Sequence, residues 1–405
     1  MSIRRNISWS FISNVVYSGS QWMMLMVIAK LSEPAVLGRY ALALAVVAPV
    51  FAFTSLQLRV VYATDVSNDH NYLEYRRSRL YMSFLAVVIV VSISYLMGYT
   101  ESMLMIVLIA IMRFIESLSD IRHGLMQKYE RMDLLSKSIT IRSISSLVLF
   151  SAIFYLCRNI NYAVSAVIIN HVIIYFTIER IFFSGLIAKH LDELSVYKKN
   201  AIKKILLVAF PLGMVMMLNT LNQNIPRYFI EAAGGEEMLG YYAAISYMLV
   251  AGGTVINAIG QASIPRLAHL YKNNIDDFIR MLFKVFVLSI LIGLAGIVMA
   301  VFLGEWILEV MYSVEYAAYN DVFVLIMIAS SVLYMSVMLG CGITAARSFV
   351  SQSYLTMLVT IALIIASYFL IPTYTLVGAA YALIIAFGVK LLMQVLQIVY
   401  IVKLR

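Results

Sequence analysis

Long apolar runs separated by short charged or turn-forming clusters recur from one end of the chain to the other. Leu80 to Met97, Leu282 to Leu303 and Tyr354 to Ile371 each hold 18 or more mostly uncharged residues. That is enough helix to cross a hydrocarbon core about 30 Å thick. No stretch alternates apolar and polar residues as a barrel strand would. The runs predict twelve membrane spans, at about 7–30, 36–57, 80–97, 102–123, 138–157, 161–186, 204–230, 238–263, 280–303, 319–345, 350–371 and 375–402. The first, behind Arg4 and Arg5 and without a small-residue cleavage site, is expected to be a retained helix and not a signal peptide.

Polar residues inside the spans fall at helical spacing. Asn14, Ser18 and Gln21 share one face of the first span, and Asn219, Asn222, Gln223 and Arg227 share one of the seventh. Ser55 and Arg59 in the second span, and Thr254, Asn257 and Gln261 in the eighth, extend the pattern. Such groups either bond to neighbouring helices, worth about 0.6 kcal/mol each where measured, or line a hydrophilic cavity. The fourth span holds the costliest set: Arg113, Glu116, Asp120 and His123 lie on one face, with Arg113 near mid-membrane. A charge there costs about 2.5–3.5 kcal/mol on insertion scales, so it pairs or lines a water path. Two readings follow, an internal Arg113–Glu116 pair or a proton- or cation-coupling site at Glu116 or Asp120.

The polar pattern also repeats. Leu37 to Ala41 reads LGRYA and Leu239 to Ala243 reads LGYYA, an offset of 202 residues. The same offset places Ser18 on Thr220, Ser20 on Asn222, Gln21 on Gln223, Ser55 on Asn257 and Arg59 on Gln261. Six spans per copy is an even number, so both copies enter the membrane from the same side as parallel repeats. The expected fold is an all-α polytopic membrane protein, with residues 1–198 and 199–405 as two six-helix bundles around a central cavity. Gly38 and Gly240 allow a turn or a close approach, and Tyr40 and Tyr242 suit a membrane interface.

Composition sharpens this picture. Apolar residues make up 62% of the 405 and charged residues 13%, against about 45–50% and 25% in soluble domains. The net charge of +9 does not point to nucleic acid, because the basic residues are interleaved with the spans. With the N-terminus inside, all of the 30 Lys and Arg except Lys30, Arg39, Arg158 and Arg227 fall on the inner side. The positive-inside rule then puts both termini in the cytoplasm. The longest loops, about 58–79, 124–137 and 187–203, are too short for a soluble catalytic domain. There is no phosphate loop, no HExxH and no metal-spaced cluster, so neither a metal nor another cofactor is expected. Cys157 and Cys341 read as small apolar residues.

Three tracts carry a resemblance. The segment from Asn6 through LSEPAVLGRYALA, SDIRHGLMQKYER at Ser119 to Arg131, and NQNIPRYFIEAAGGEEMLGYYA at Asn222 to Ala243 are similar to bacterial polysaccharide repeat-unit flippases, also called O-antigen or capsule flippases. These belong to the multidrug/oligosaccharidyl-lipid/polysaccharide exporter superfamily. Pro226 departs from relatives that carry an acidic residue before the arginine. The resemblance implies a plasma-membrane flippase, not an enzyme, that moves an undecaprenyl-diphosphate-linked oligosaccharide outward by rocking one half against the other. It implies membrane lipids, a polysaccharide polymerase and a chain-length regulator as partners, and the amide stripes as sugar-binding walls. Arg59 and Arg227 would offer forked donors to phosphate. A cation-coupled multidrug exporter shares this architecture, and a membrane polymerase or ligase is a third reading.

Overall fold

In lipid every backbone N–H and C=O must find a partner within the protein, which leaves helices or closed barrels. The computed structural model describes residues 3–65, 70–191 and 201–403, and every element among them is helical. In chain order these are α1 (Ile3–Leu31), α2 (Pro34–Ser55), α3 (Leu58–Ala63), α4 (Tyr72–Leu96), α5 (Met103–Lys128), α6 (Met132–Cys157) and α7 (Ile160–Phe176). There follow α8 (Ile178–Ile187), α9 (Ala201–Asn273), α10 (Ile275–Met311), α11 (Val314–Ala317), α12 (Asn320–Ala345) and α13 (Phe349–Lys403).

Among the described residues, nine helical stretches are long and apolar enough to cross a membrane, fewer than the twelve spans expected. The difference has physical causes. At 73 residues α9 would run about 110 Å if straight, and its helical dihedrals fail at Gly235, with φ 72° and ψ −171°. That backbone region is essentially restricted to glycine. α13 breaks in the same manner at Thr375, with φ 48°, just beyond Pro372. Each break falls where two expected spans adjoin. Helical dihedrals run on through Pro226. α5 is too charged to qualify on apolarity.

The expected loop 58–79 is largely helical. α2 ends in two residues of positive φ, Leu56 at 48° and Gln57 at 51°, and α3 follows directly. α4 begins well before Leu80 because Asn71 and Glu74 form a capping box. The Glu74 amide donates to Asn71 Oδ1 at 3.1 Å, and the Asn71 amide donates to Glu74 Oε2 at 3.2 Å. This reciprocal pairing satisfies two otherwise free donors.

The chain divides into two compact units. The first holds the chain up to Ser32 together with Leu42–Thr220, and the second Glu33–Ala41 with the chain from Leu221 onward. The expected boundary at 198/199 lies outside the described residues, as does most of the loop 187–203. In the first unit, small polar residues join the helices: Ser13 Oγ of α1 donates to Ser136 Oγ of α6 at 3.2 Å, and Ser83 and Ser117 link α4 to α5 at 2.6 Å. Leu58, Tyr62, Tyr72, Tyr75, Leu125, Ile205 and Ala209 form its apolar core.

The second unit is built on α12, which packs against α10 and α13. Ser336 Oγ donates to Gln394 Oε1 at 2.7 Å, and Leu267, Phe278, Leu282 and Leu339 cluster beside it. Here the two copies of the repeated pentapeptide meet. A Cβ on Gly38 would run into the Glu236 carbonyl, and one on Gly240 into the Pro34 carbonyl. Both pairs obey the 202-residue offset, so the contact is a symmetric exchange between equivalent helix starts. Arg39 closes it with Nε and Nη2 donating to Glu236 Oε2 at 3.0 and 2.9 Å. Tyr40 and Tyr242, which suit a membrane interface by type, are buried at 3% and 2% exposure.

A backbone carbonyl cannot swing aside as a side chain can. Gly38→Ala and Gly240→Ala are therefore expected to lower the thermal midpoint of the purified protein in detergent, by overpacking worth about 1–3 kcal/mol. Gly19→Ala, at a position with open space around it, serves as the control, and equal midpoints for all three would show that the crossing is looser.

Candidate anion-binding cavity in the first unit

α5 carries charges that an apolar bundle tolerates only when they are compensated, and each has found a partner. Arg113 Nη1 donates to Glu116 Oε2 at 2.7 Å, the pair expected from their i, i+3 spacing, and to the Tyr17 hydroxyl at 3.5 Å. Asp120 takes two arginines from other helices. Its Oδ1 accepts from Arg59 Nη1 at 3.3 Å, and its Oδ2 from Arg79 Nη2. Arg79 also donates to the Ser117 carbonyl at 3.1 Å and the Ser55 carbonyl at 2.8 Å, joining the end of α2 to α4 and α5.

These groups line a cavity of about 300 Å³. Asn14 and Tyr17 come from α1, Thr54 and Ser55 from α2, Arg59 from α3, Arg79 and Ser83 from α4. α5 adds Arg113, Glu116, Ser117, Asp120 and His123, and α6 adds Arg142. Four guanidinium groups thus face two carboxylates, and the remaining polar lining is largely hydroxyl. An excess of forked cationic donors with hydroxyls between them suits an anion rich in oxygen acceptors. Among the described residues no group of His, Cys, Asp and Glu is placed to hold a metal ion.

Behind the α6 wall a fully buried carboxylate, Glu179 of α8, balances the cations. Ser138 Oγ donates to its Oε1 at 3.0 Å, with His123 Nε2 at 3.5 Å and Arg142 Nη1 at 3.8 Å from the same oxygen. Arg122 Nη1 lies 4.0 Å from its Oε2, donates to the Tyr175 carbonyl and sits over the Tyr175 ring at 3.5 Å. His171 of α7 lies 4.0 Å from Glu116.

The residues singled out by sequence are divided. Asn14, Arg59, Arg113, Glu116 and Asp120, with His123, come together in this cavity. Ser18 and Gln21 lie further along α1 and Asn219 is exposed on α9; none of the three is in its lining. Asn222, Gln223, Arg227, Asn257 and Gln261 belong to the second unit. There Gln223, Asn257 and Gln261 are exposed, and Arg227 Nη1 donates to Asn224 Oδ1 at 3.3 Å. Among the described residues Arg227 forms no ion pair. Sequence reasoning missed Arg79 and Arg142 as site residues, counting both among the inner-side basic residues that set orientation, and did not single out His171 or Glu179. The Asn71–Glu74 capping signal would have drawn Arg79 into a helix; no local signal marks Glu179.

Comparison with known proteins adds to the geometry. A family model described as polysaccharide biosynthesis protein matches residues 3–271. The capsular polysaccharide biosynthesis protein CapF of Staphylococcus aureus is 29% identical over 391 residues, spanning 96% of this chain and 97% of that one. The lipid II flippase MurJ in an inward closed conformation superposes with a TM-score of 0.74 at 12% identity, over 97% of this chain and 87% of that structure. An inward-facing multidrug resistance MATE family transporter of the MOP superfamily does so with 0.65 at 16% identity, over 100% and 96%. At such identities the likeness speaks for the fold, which is the two-repeat fold of that superfamily.

Glu179→Gln removes the charge that two buried arginines, Arg122 and Arg142, share while keeping the side chain's shape. Breaking such an arrangement costs about 3–5 kcal/mol, so a clearly lower unfolding midpoint in detergent is expected. An unchanged midpoint would show that Arg122 and Arg142 are balanced without it.

Proposed function

Because the chain belongs to the polysaccharide biosynthesis protein family and has the multi-pass fold of MOP transporters and flippases, we propose that it is a flippase for lipid-linked oligosaccharide. Its cargo would be an undecaprenyl-diphosphate-linked repeat unit, carried from the inner to the outer leaflet of a bacterial plasma membrane by alternating access. The observation that carries this reading is the lining of the first-unit cavity, in which arginines outnumber carboxylates and hydroxyls fill the gaps. A diphosphate is the part of the cargo least able to enter hydrocarbon, since its charge loses its hydration there. Guanidinium forks replace that hydration with charge-assisted hydrogen bonds.

The size of the cavity supports a division of labour. About 300 Å³ accommodates a diphosphate and its nearest sugar rather than a whole oligosaccharide. The exposed amides Gln223, Asn257 and Gln261, and Arg227, are the second unit's candidates for further sugar and phosphate contacts. With the basic loops in the cytoplasm, Arg59 would stand on the inner-leaflet side, where such cargo is made. An inside-negative potential then drives an anion outward by about 2.3 kcal/mol per charge per 100 mV. The similarity to a capsular polysaccharide protein favours a surface polysaccharide as the product's destination. A cationic drug would meet repulsion in the same cavity.

A deletion strain is expected to lose surface polysaccharide while keeping its drug sensitivity; the reverse outcome would identify a drug exporter. Replacing Arg59 and Arg227 together with glutamine is expected to lower surface polysaccharide about tenfold or more at equal protein level, since a charged hydrogen bond is worth about 1.5–3 kcal/mol. Wild-type display in that variant would make the two arginines interfacial anchors.

A further inference from the structure

We infer that Asp120 competes with the phosphate oxygens of a bound diphosphate for the guanidinium of Arg59, acting as a built-in exchangeable counter-ion. The inference rests on the reading that the first-unit cavity receives a diphosphate. Its basis is the unequal hold on the two oxygens of one carboxylate. Oδ2 belongs to Arg79, whose side chain is 4% exposed and whose fork is filled by Asp120 and two backbone carbonyls. Oδ1 belongs to Arg59 through a single contact of 3.3 Å, long against the 2.7–2.9 Å of a strong charge-assisted bond. Arg59 is also the freest cation of the lining, with 36% of its side chain exposed.

The other arginines are less accessible. Arg113 bonds to Glu116 at 2.7 Å, and Arg142, 3.8 Å from Glu179, has only 10% of its side chain exposed. A diphosphate can offer Arg59 two oxygens and more negative charge than one carboxylate oxygen, so it displaces Asp120 at the cost of one weak contact. Asp120 keeps Arg79 throughout, and the fold is not disturbed. The displaced carboxylate stays next to the ligand and repels it. A transporter needs this balance, because a site must bind well enough to load and poorly enough to release.

The test is a double-mutant cycle with inorganic pyrophosphate as the probe, using full-length protein in detergent and isothermal calorimetry. Asp120→Asn is expected to bind pyrophosphate about tenfold more tightly than wild type, because Arg59 is released to the ligand and the repulsion of a neighbouring carboxylate is lost. In an Arg59→Gln background the same substitution should tighten binding clearly less, since the repulsion is still relieved but there is no guanidinium to release. Equal tightening in both backgrounds would reduce Asp120 to a remote charge and overturn the inference. So would unchanged or weaker binding in Asp120→Asn, or no pyrophosphate binding by any variant. Should Asp120→Asn fail to fold, Asp120→Ser, which keeps a short acceptor for Arg79, takes its place in the cycle. Failure of the flippase reading has a separate signature, intact surface polysaccharide in the deletion strain.

Discussion

The contact between Arg79 and Asp120 underlies the architecture of the first unit. A charge in an apolar bundle must be paired or hydrated, and one arginine here answers for three elements at once. It donates to the last-turn carbonyl of Ser55 on α2, to the Ser117 carbonyl of α5 and to Asp120 itself. The end of α2 thereby meets α4 and α5, and the sharp turn at Leu56 and Gln57 delivers α3 alongside α5. Arg59 reaches the cavity only because α3 is held there.

Around that junction the charged residues divide according to how completely they are used. Arg79, Arg122 and Glu179 are buried, and each faces several polar or charged partners that tie helices together. Arg59 and Asp120 are partly exposed and linked by one long contact. Close contacts on one side and a long contact on the other leave Arg59 the most exposed arginine of the lining. The second unit uses a different device: the glycine crossing between Gly38 and Gly240 relies on the absence of side chains, with Arg39 and Glu236 fastening its edge.

Much of the helix map was legible in the chain. Residues 102–123, 138–157 and 319–345 lie within or nearly coincide with α5, α6 and α12, because a long apolar run in lipid has only the helix available to it. The face shared by Arg113, Glu116, Asp120 and His123 follows from 3.6-residue periodicity and is realised in the cavity. Less legible was the region 58–79, where short polar sequence reads as loop although α3 and the first turns of α4 occupy most of its described part. Its capping box is a local signal that hydropathy ignores.

By itself, then, the sequence determined that this is a helical membrane protein, where its apolar spans run, that two copies of a pattern recur, and which face of α5 is charged. Those properties depend on neighbours within a few residues or on a strict offset. Only the tertiary structure decided that Arg79 and Arg142 are wall residues, that Glu179 faces Arg142 and Arg122 from behind, and that Pro34 and Gly38 exchange contacts with Glu236 and Gly240. These pairings join residues up to 206 positions apart, and no periodicity along a chain encodes which charged side chain a folded helix will find opposite it.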